Sequence, residues 1–238
     1  MRNSTPDTIR ETIAANLRSI RDRMAAAARR SGREPSAVTL VAVTKYAQPE
    51  WVTALHSLGV LDFGESRPQQ LVERAVQFPT DIRWHLIGHL QRNKIRKTLP
   101  RVRLTHSVDS IKLLEAIDRI AKEERLRPKL LLEVNISAEA SKQGFAPDEL
   151  RQAWPDVAAN THVDVVGLLT MAPLVDQAET ARPVFAALRE LAVELNHSSP
   201  EPQLTELSMG MSGDFEVAIE EGATLVRIGS RLFDGLAD

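Results

Sequence analysis

At 238 residues, 43% apolar and 26% charged, the chain has the composition of a globular protein with one large core. Its net charge of −2 gives the whole no strong pull toward nucleic acid or an anionic membrane. The absence of cysteine removes disulfides, thiolate nucleophiles, Cys-ligated zinc and iron–sulfur clusters together.

The polar stretch Met1–Arg10 lacks the apolar core of a signal peptide. No run approaches the ~18 consecutive apolar residues of a membrane span, so a cytoplasmic protein is expected. Ile9, Ile13, Leu17, Ile20 and Met24 then recur at steps of three and four, one apolar stripe of a helix over about 7–31. Pro6-Asp7 can start it and Ser31-Gly32 stops it. The helix is expected to pack on the outside of the main fold.

Short β-rich runs then alternate with helical patterns. Strands are expected at Val38–Thr44, Leu61–Phe63, Ile82–Ile87, Arg103–His106, Lys129–Val134, Val163–Leu168, Leu204–Ser208 and Thr224–Ile228. Helices are expected near Pro49–Leu58, Pro68–Ala75, Asn93–Thr98, Ser110–Glu124, Pro147–Ala158, Ala178–Glu194 and Asp214–Glu221. Eight strands with helices between them predict an α/β fold, a single (β/α)8 TIM-like barrel with an extra N-terminal helix. No linker or low-complexity run divides residues 1–238, so one domain is expected.

Chemistry in such a barrel sits at the C-terminal ends of the strands. Lys45 closes the apolar run Leu40–Thr44. A strand-end lysine ordinarily carries its ammonium to solvent. Partly desolvated, it loses its proton more easily, and the neutral amine attacks an aldehyde. Leu207–Asp214 runs from a strand into a helix with two glycines and two serines, a pattern that offers N–H groups and hydroxyls to an anion and also suits plain capping. Val226–Ser230 ends the last strand, where this fold often binds phosphate. Gly229 would allow close approach, and Arg227 would face either the mouth or a core carboxylate.

Trp84–Lys94 carries His85 and His89 four residues apart, but on a strand and loop rather than one helix face, and without HExxH. No metal is expected, and His85 reads as a ring-packing or hydrogen-bonding group. Asn135 ends the fifth strand and can face the mouth, while Gly144-Phe145 reads as a turn.

Together Val41–Lys45, Asp62–Glu65, Trp84–Lys94, His106–Asp109, Val134–Ser137, Lys142–Phe145 and Leu207–Phe233 resemble the pyridoxal phosphate homeostasis proteins, relatives of the N-terminal barrel of alanine racemase. The resemblance implies pyridoxal 5′-phosphate as cofactor and a Schiff base at Lys45. It implies phosphate contacts from Ser212, Gly229 and Ser230 and an Arg227 side chain toward the pyridine nitrogen. Met209, Gly210 and Asn135 would line the pocket, with His85 near the cofactor. The family's Lys-x-Lys-Pro is here Lys45-Tyr46-Ala47-Gln48-Pro49, without the second cation, and its Gly-Glu-Asn is Gly64-Glu65-Ser66. Ser66 is shorter than an amide, so its contact is expected through water.

A racemase of this fold needs acid–base groups on both cofactor faces. In alanine racemase the second is a tyrosine from another domain, and no such domain is expected here. The single tyrosine, Tyr46, follows Lys45 directly, and strand alternation would aim it elsewhere. An arginine at the pyridine nitrogen also opposes ring protonation and weakens the electron sink. The expectation is a non-catalytic cofactor carrier, a monomer, with apo pyridoxal-phosphate enzymes as possible recipients and no nucleic acid or membrane partner. A broad-specificity amino-acid racemase is the alternative.

Overall fold

The computed structural model describes residues 5–139, 142–173, 176–199 and 201–236. The outermost residues of the expected 1–238 unit therefore lie outside the described residues. Eight parallel strands close a barrel in sequence order: β1 Thr39–Val43, β2 Asp62–Glu65, β3 Arg83–Leu86, β4 Leu104–Val108, β5 Lys129–Glu133, β6 Asp164–Leu169, β7 Glu206–Ser208 and β8 Leu225–Ile228. Closure is direct, with Val41 of β1 beside Arg227 of β8. The helices are α1 Pro6–Arg30, α2 Pro49–Ser57, α3 Pro68–Gln77, α4 Ile95–Thr98, α5 Ile111–Glu124, α6 Pro147–Ala158, α7 Arg182–Ser198 and α8 Phe215–Glu220.

Each of β1 to β7 is followed by a helix. Among the described residues, β8 is followed only by the 3-10 turn Ser230–Leu232. The helix missing there is supplied by α1, which packs against both α8 and α2. Its apolar stripe, Ile13, Leu17, Ile20 and Met24, is buried as the spacing predicts. Each such side chain contributes about 1.5–3 kcal/mol on leaving water. Arg23 fixes the azimuth by a two-pronged pair to Glu216, and Arg33 donates to the carbonyls of Ile219 and Ala223. The extra helix in sequence is thus the eighth helix in space.

Side chains alternate between two cores. Outward residues such as Ala42, Phe63, Trp84, Leu132 and Val226 pack beneath the helices. Inward residues Val41, Leu104, Leu131, Leu169 and Leu225 form a small separate cluster inside the barrel. Below it, Asp62, Arg83, His85, Arg103 and Lys129 line a polar cavity at the N-terminal floor. No helix among the described residues is long and apolar enough to cross a membrane.

Candidate functional site

Lys45 stands just past β1, half-buried, in a turn closed by the Ala47 N–H donating to the Thr44 carbonyl. The turn is clamped from below. Arg74 of α3 donates to the Ala47 carbonyl at 2.8 Å and faces the fully buried Glu65 carboxylate at 3.6 Å. Glu65 in turn accepts the Ser66 and Arg67 N–H groups. The ends of β1 and β2 are therefore held as one rigid corner.

Here Tyr46 departs from expectation. The strand stops at Val43, alternation stops with it, and the Lys45 ammonium lies over the Tyr46 ring, 5.1 Å from its centroid. The chain's one tyrosine is beside Lys45, exposed to solvent, rather than aimed elsewhere.

On the adjacent wall, β7 and β8 bring Ser212, Gly213, Gly229 and Ser230 together. The Gly229 N–H reaches the Ser212 hydroxyl only at 3.4 Å. The N–H groups of Ser212, Gly213 and Ser230 meet no acceptor among the described residues. A Cβ on Gly213 would touch nothing within 4 Å. Gly210 has φ +91°, and a Cβ there would come within 2.6 Å of the Ala218 methyl, so glycine is required for α8 to pack. Its carbonyl accepts the Arg227 N–H.

Arg227 is 5% exposed and points inward. Its guanidinium donates to the Ser208 hydroxyl at 2.6 Å and the Thr170 carbonyl at 3.1 Å. Burial pulls its pKa down to about 10, against the attraction of Asp214 and Glu133. The expected core-carboxylate pairing is not what holds it, since its hydrogen bonds go to a hydroxyl and a carbonyl.

Beneath Arg227 a chain of hydrogen bonds runs to the floor. Ser208 Oγ meets His106 Nδ1 at 2.9 Å, and His106 Nε2 meets His85 Nδ1 at 2.8 Å. His85 Nε2 meets Asp62 Oδ1 at 3.0 Å, and Arg83 pairs with the other Asp62 oxygen. The ends set the direction. Arginine only donates and a carboxylate only accepts, so with both rings in the neutral form the hydrogen bonds are donated one way, Arg227 to Ser208 to His106 to His85 to Asp62. Burial first, and the like charge of Arg227 after it, hold His106 well below the ordinary histidine range, so it is neutral at pH 7. Burial would raise Asp62, but its bonds to His85 and Arg83 win and hold it low.

The other expected residues separate into groups. His85 stands behind Arg227, two groups removed, on the floor side. Met209 is fully buried in the outer core, because Ser208 and Met209 alternate faces. Asn135 turns into its own loop, its amide donating to the carbonyls of Glu139 and Lys142 and its oxygen accepting from Ser137. Gly144-Phe145 is more than a turn: Phe145 returns to pair beside Val134, its N–H on the Glu133 carbonyl. The hydroxyl of Ser66 meets no partner among the described residues. His89 pairs with Asp109 at 2.9 Å, and no metal-binding group occurs among the described residues. A separate cavity of about 520 Å³ lies between α1 and the starts of β1 and β2, at the opposite end from Lys45.

Comparison with known proteins then decides the family. Residues 11–236 match the model of the alanine racemase N-terminal domain. The pyridoxal phosphate homeostasis protein of Aquifex aeolicus is 37% identical over 91% of this chain and 95% of its own length. That of Escherichia coli K12 is 34% identical over 93% and 95%. The chain belongs to the pyridoxal phosphate homeostasis protein family. Among solved structures, PipY of Synechococcus elongatus with pyridoxal phosphate bound superposes with TM-score 0.80 at 37% identity, covering 93% of this chain and 99% of PipY. Alanine racemase of Clostridium difficile shares the fold, with TM-score 0.72 at 13% identity, over 96% of this chain and 58% of the racemase.

The histidine chain and Glu133 are what sequence reasoning missed. Each member occupies an inward strand position, so polar residues at alternate strand positions were the available signal.

Proposed function

We propose that this chain holds pyridoxal 5′-phosphate at the barrel mouth and serves cofactor homeostasis without efficient turnover. The observation that carries the reading is the set of unpaired N–H groups at Ser212, Gly213 and Ser230 in the same mouth as Lys45. Hydrogen bonds from such groups to an oxyanion are charge-assisted and contribute about 1.5–3 kcal/mol each. The residues fit the cofactor: Ser212, Gly229 and Ser230 for the phosphate, Lys45 for the aldehyde as a Schiff base, Arg227 for the pyridine nitrogen. Gly210 and the Ser66 hydroxyl complete the walls. Met209 and Asn135 serve through backbone and loop shape, and His85 acts through His106 rather than by touch.

The cofactor, when bound, supplies an electrophilic carbon and an electron-withdrawing ring. Arg227, which only donates, opposes protonation of the ring nitrogen and so weakens the sink on which carbanion chemistry depends. Tyr46, beside Lys45, does not occupy the opposite face. This supports a holder and donor of cofactor to apoenzymes, working as a cytoplasmic monomer. Among the described residues the large exposed apolar side chains, Tyr46, Val76, Met171 and Val193, are dispersed over two loops and two helices.

The test is an absorbance spectrum of loaded protein with borohydride trapping. One visible band, with label on Lys45, is expected, and Lys45→Ala should lose it. A band retained by Lys45→Ala would overturn the assignment. One observation favours the alternative, a broad-specificity amino-acid racemase: Glu133 ends the strand opposite Lys45. Racemase turnover well above that of free cofactor would establish it.

A further inference from the structure

Glu133 ends β5, and the closed order places β5 four strands from β1 in either direction, on the wall facing Lys45. Alternation along β5 puts Lys129 at the floor cavity and Leu131 in the inner apolar cluster. Glu133 comes next on the same inward face, at the mouth. It is 7% exposed, and its carboxylate has no hydrogen bond or ion pair with any described residue. The side chain is largely desolvated, yet its oxygens still open on the mouth, so an unpaired carboxylate stands where a ligand can reach it.

Its electrostatic neighbours come from three other elements. Asp109, after β4, repels its charge, while Arg227 of β8 and His89, after β3, attract it. Asp109 already holds His89 and the Ser110 hydroxyl, and Arg227 already holds Ser208 and Thr170. Glu133 is the member of this group left over. Burial first, and Asp109 second, push its carboxyl above the usual range, which makes it a better proton acceptor than an exposed carboxylate.

We infer that Glu133 receives an incoming primary ammonium, takes its proton, and so drives exchange of the cofactor from Lys45 onto that amine. The inference rests on Lys45 holding the cofactor covalently, as proposed for this chain. In the step, the ammonium gives one proton to the Glu133 carboxylate. The freed amine nitrogen forms a bond to the carbon held by Lys45, its two remaining protons pass to the Lys45 nitrogen, and Lys45 leaves as a neutral amine. Nothing is oxidised or reduced. The ligand class is a primary amine, whether a free amino compound or the lysine of an apoenzyme.

The first measurement follows loss of the visible band after mixing loaded protein with ethylamine. Glu133→Gln keeps the shape and removes the base. It should slow amine-driven loss about tenfold or more, while loss into a phosphatase scavenger without amine stays within about twofold. An unchanged amine-driven rate, or an equal fall in both rates, overturns the proposal. The second uses the 13C-labelled apoprotein and needs no variant: the Glu133 carboxyl resonance should shift with ethylammonium chloride and not with tetramethylammonium chloride. A carboxyl indifferent to both also overturns it. If wild type shows no visible band, the covalent reading has failed. The apoprotein titration then still decides whether Glu133 receives an ammonium.

Discussion

Two sets of polar groups inside the barrel are treated in opposite ways. From the floor up to Arg227, Arg83, Asp62, His85, His106, Ser208 and Arg227 satisfy one another in series across the inner apolar cluster. At the mouth, three N–H groups, the Ser66 hydroxyl and the Glu133 carboxylate are left open. Satisfied buried polar groups specify a structure, and unsatisfied ones reserve a place for something else. Residue type alone does not separate the two: a serine belongs to the floor network at 208 and to the mouth at 212.

The difference can be broken from the floor side first. His106→Leu removes the middle of the series and strands His85 Nδ1 and Ser208. A loss of about 3 kcal/mol is expected in urea unfolding of the apoprotein, and a loss under ~0.5 kcal/mol would show the series to be idle. Gly210→Ala forces a methyl against Ala218 at positive φ and should cost about 2 kcal/mol in the same assay.

Acid sharpens the contrast. The unfolded chain protonates His106 near pH 6.5, while the folded chain keeps it neutral. The unfolded state therefore binds more protons below about pH 6.5, and folding stability falls as pH falls, by up to about 1.4 kcal/mol per pH unit from this group. His106→Asn should flatten that slope by about one proton, read from unfolding midpoints between pH 4.5 and 7. Mouth substitutions come last in stability and first in binding. Ser212→Ala should change apoprotein stability by less than about 0.5 kcal/mol yet weaken cofactor binding about tenfold, measured by fluorescence titration. A larger stability loss than binding loss would move Ser212 into the structural set.

The barrel is legible in the sequence because its strands alternate with helices at regular spacing, and Pro49, Pro68 and Pro147 mark helix starts that the fold keeps. Boundaries slip where chemistry overrides apolar pattern. The apolar run predicts that β2 stops at Phe63, but it continues through Gly64 to Glu65, whose carboxylate is buried by Arg74. Lys45 and the glycine–serine loops are legible because they occupy strand ends. The histidine series is not, since His106 finds one partner 21 residues away and the other 102. Only closure of the barrel brings those rings together, and no local pattern encodes closure. Asn135 is the converse: the partners of its amide are local, the Glu139 and Lys142 carbonyls of its own loop.

The placement of α1 has a consequence for how the molecule is made. This helix leaves the ribosome ahead of the barrel, while Glu216, Glu220 and the Leu232 carbonyl that anchor Arg23, Arg30 and Asn16 follow some 190 residues or more later. Its apolar stripe must wait through some 190 residues of translation for its seat. Contacts so distant in the chain make folding slow and leave a nascent apolar surface exposed. The two arginines spaced along that stripe's edge keep the waiting helix hydrated, and later become the clasps that close the ring.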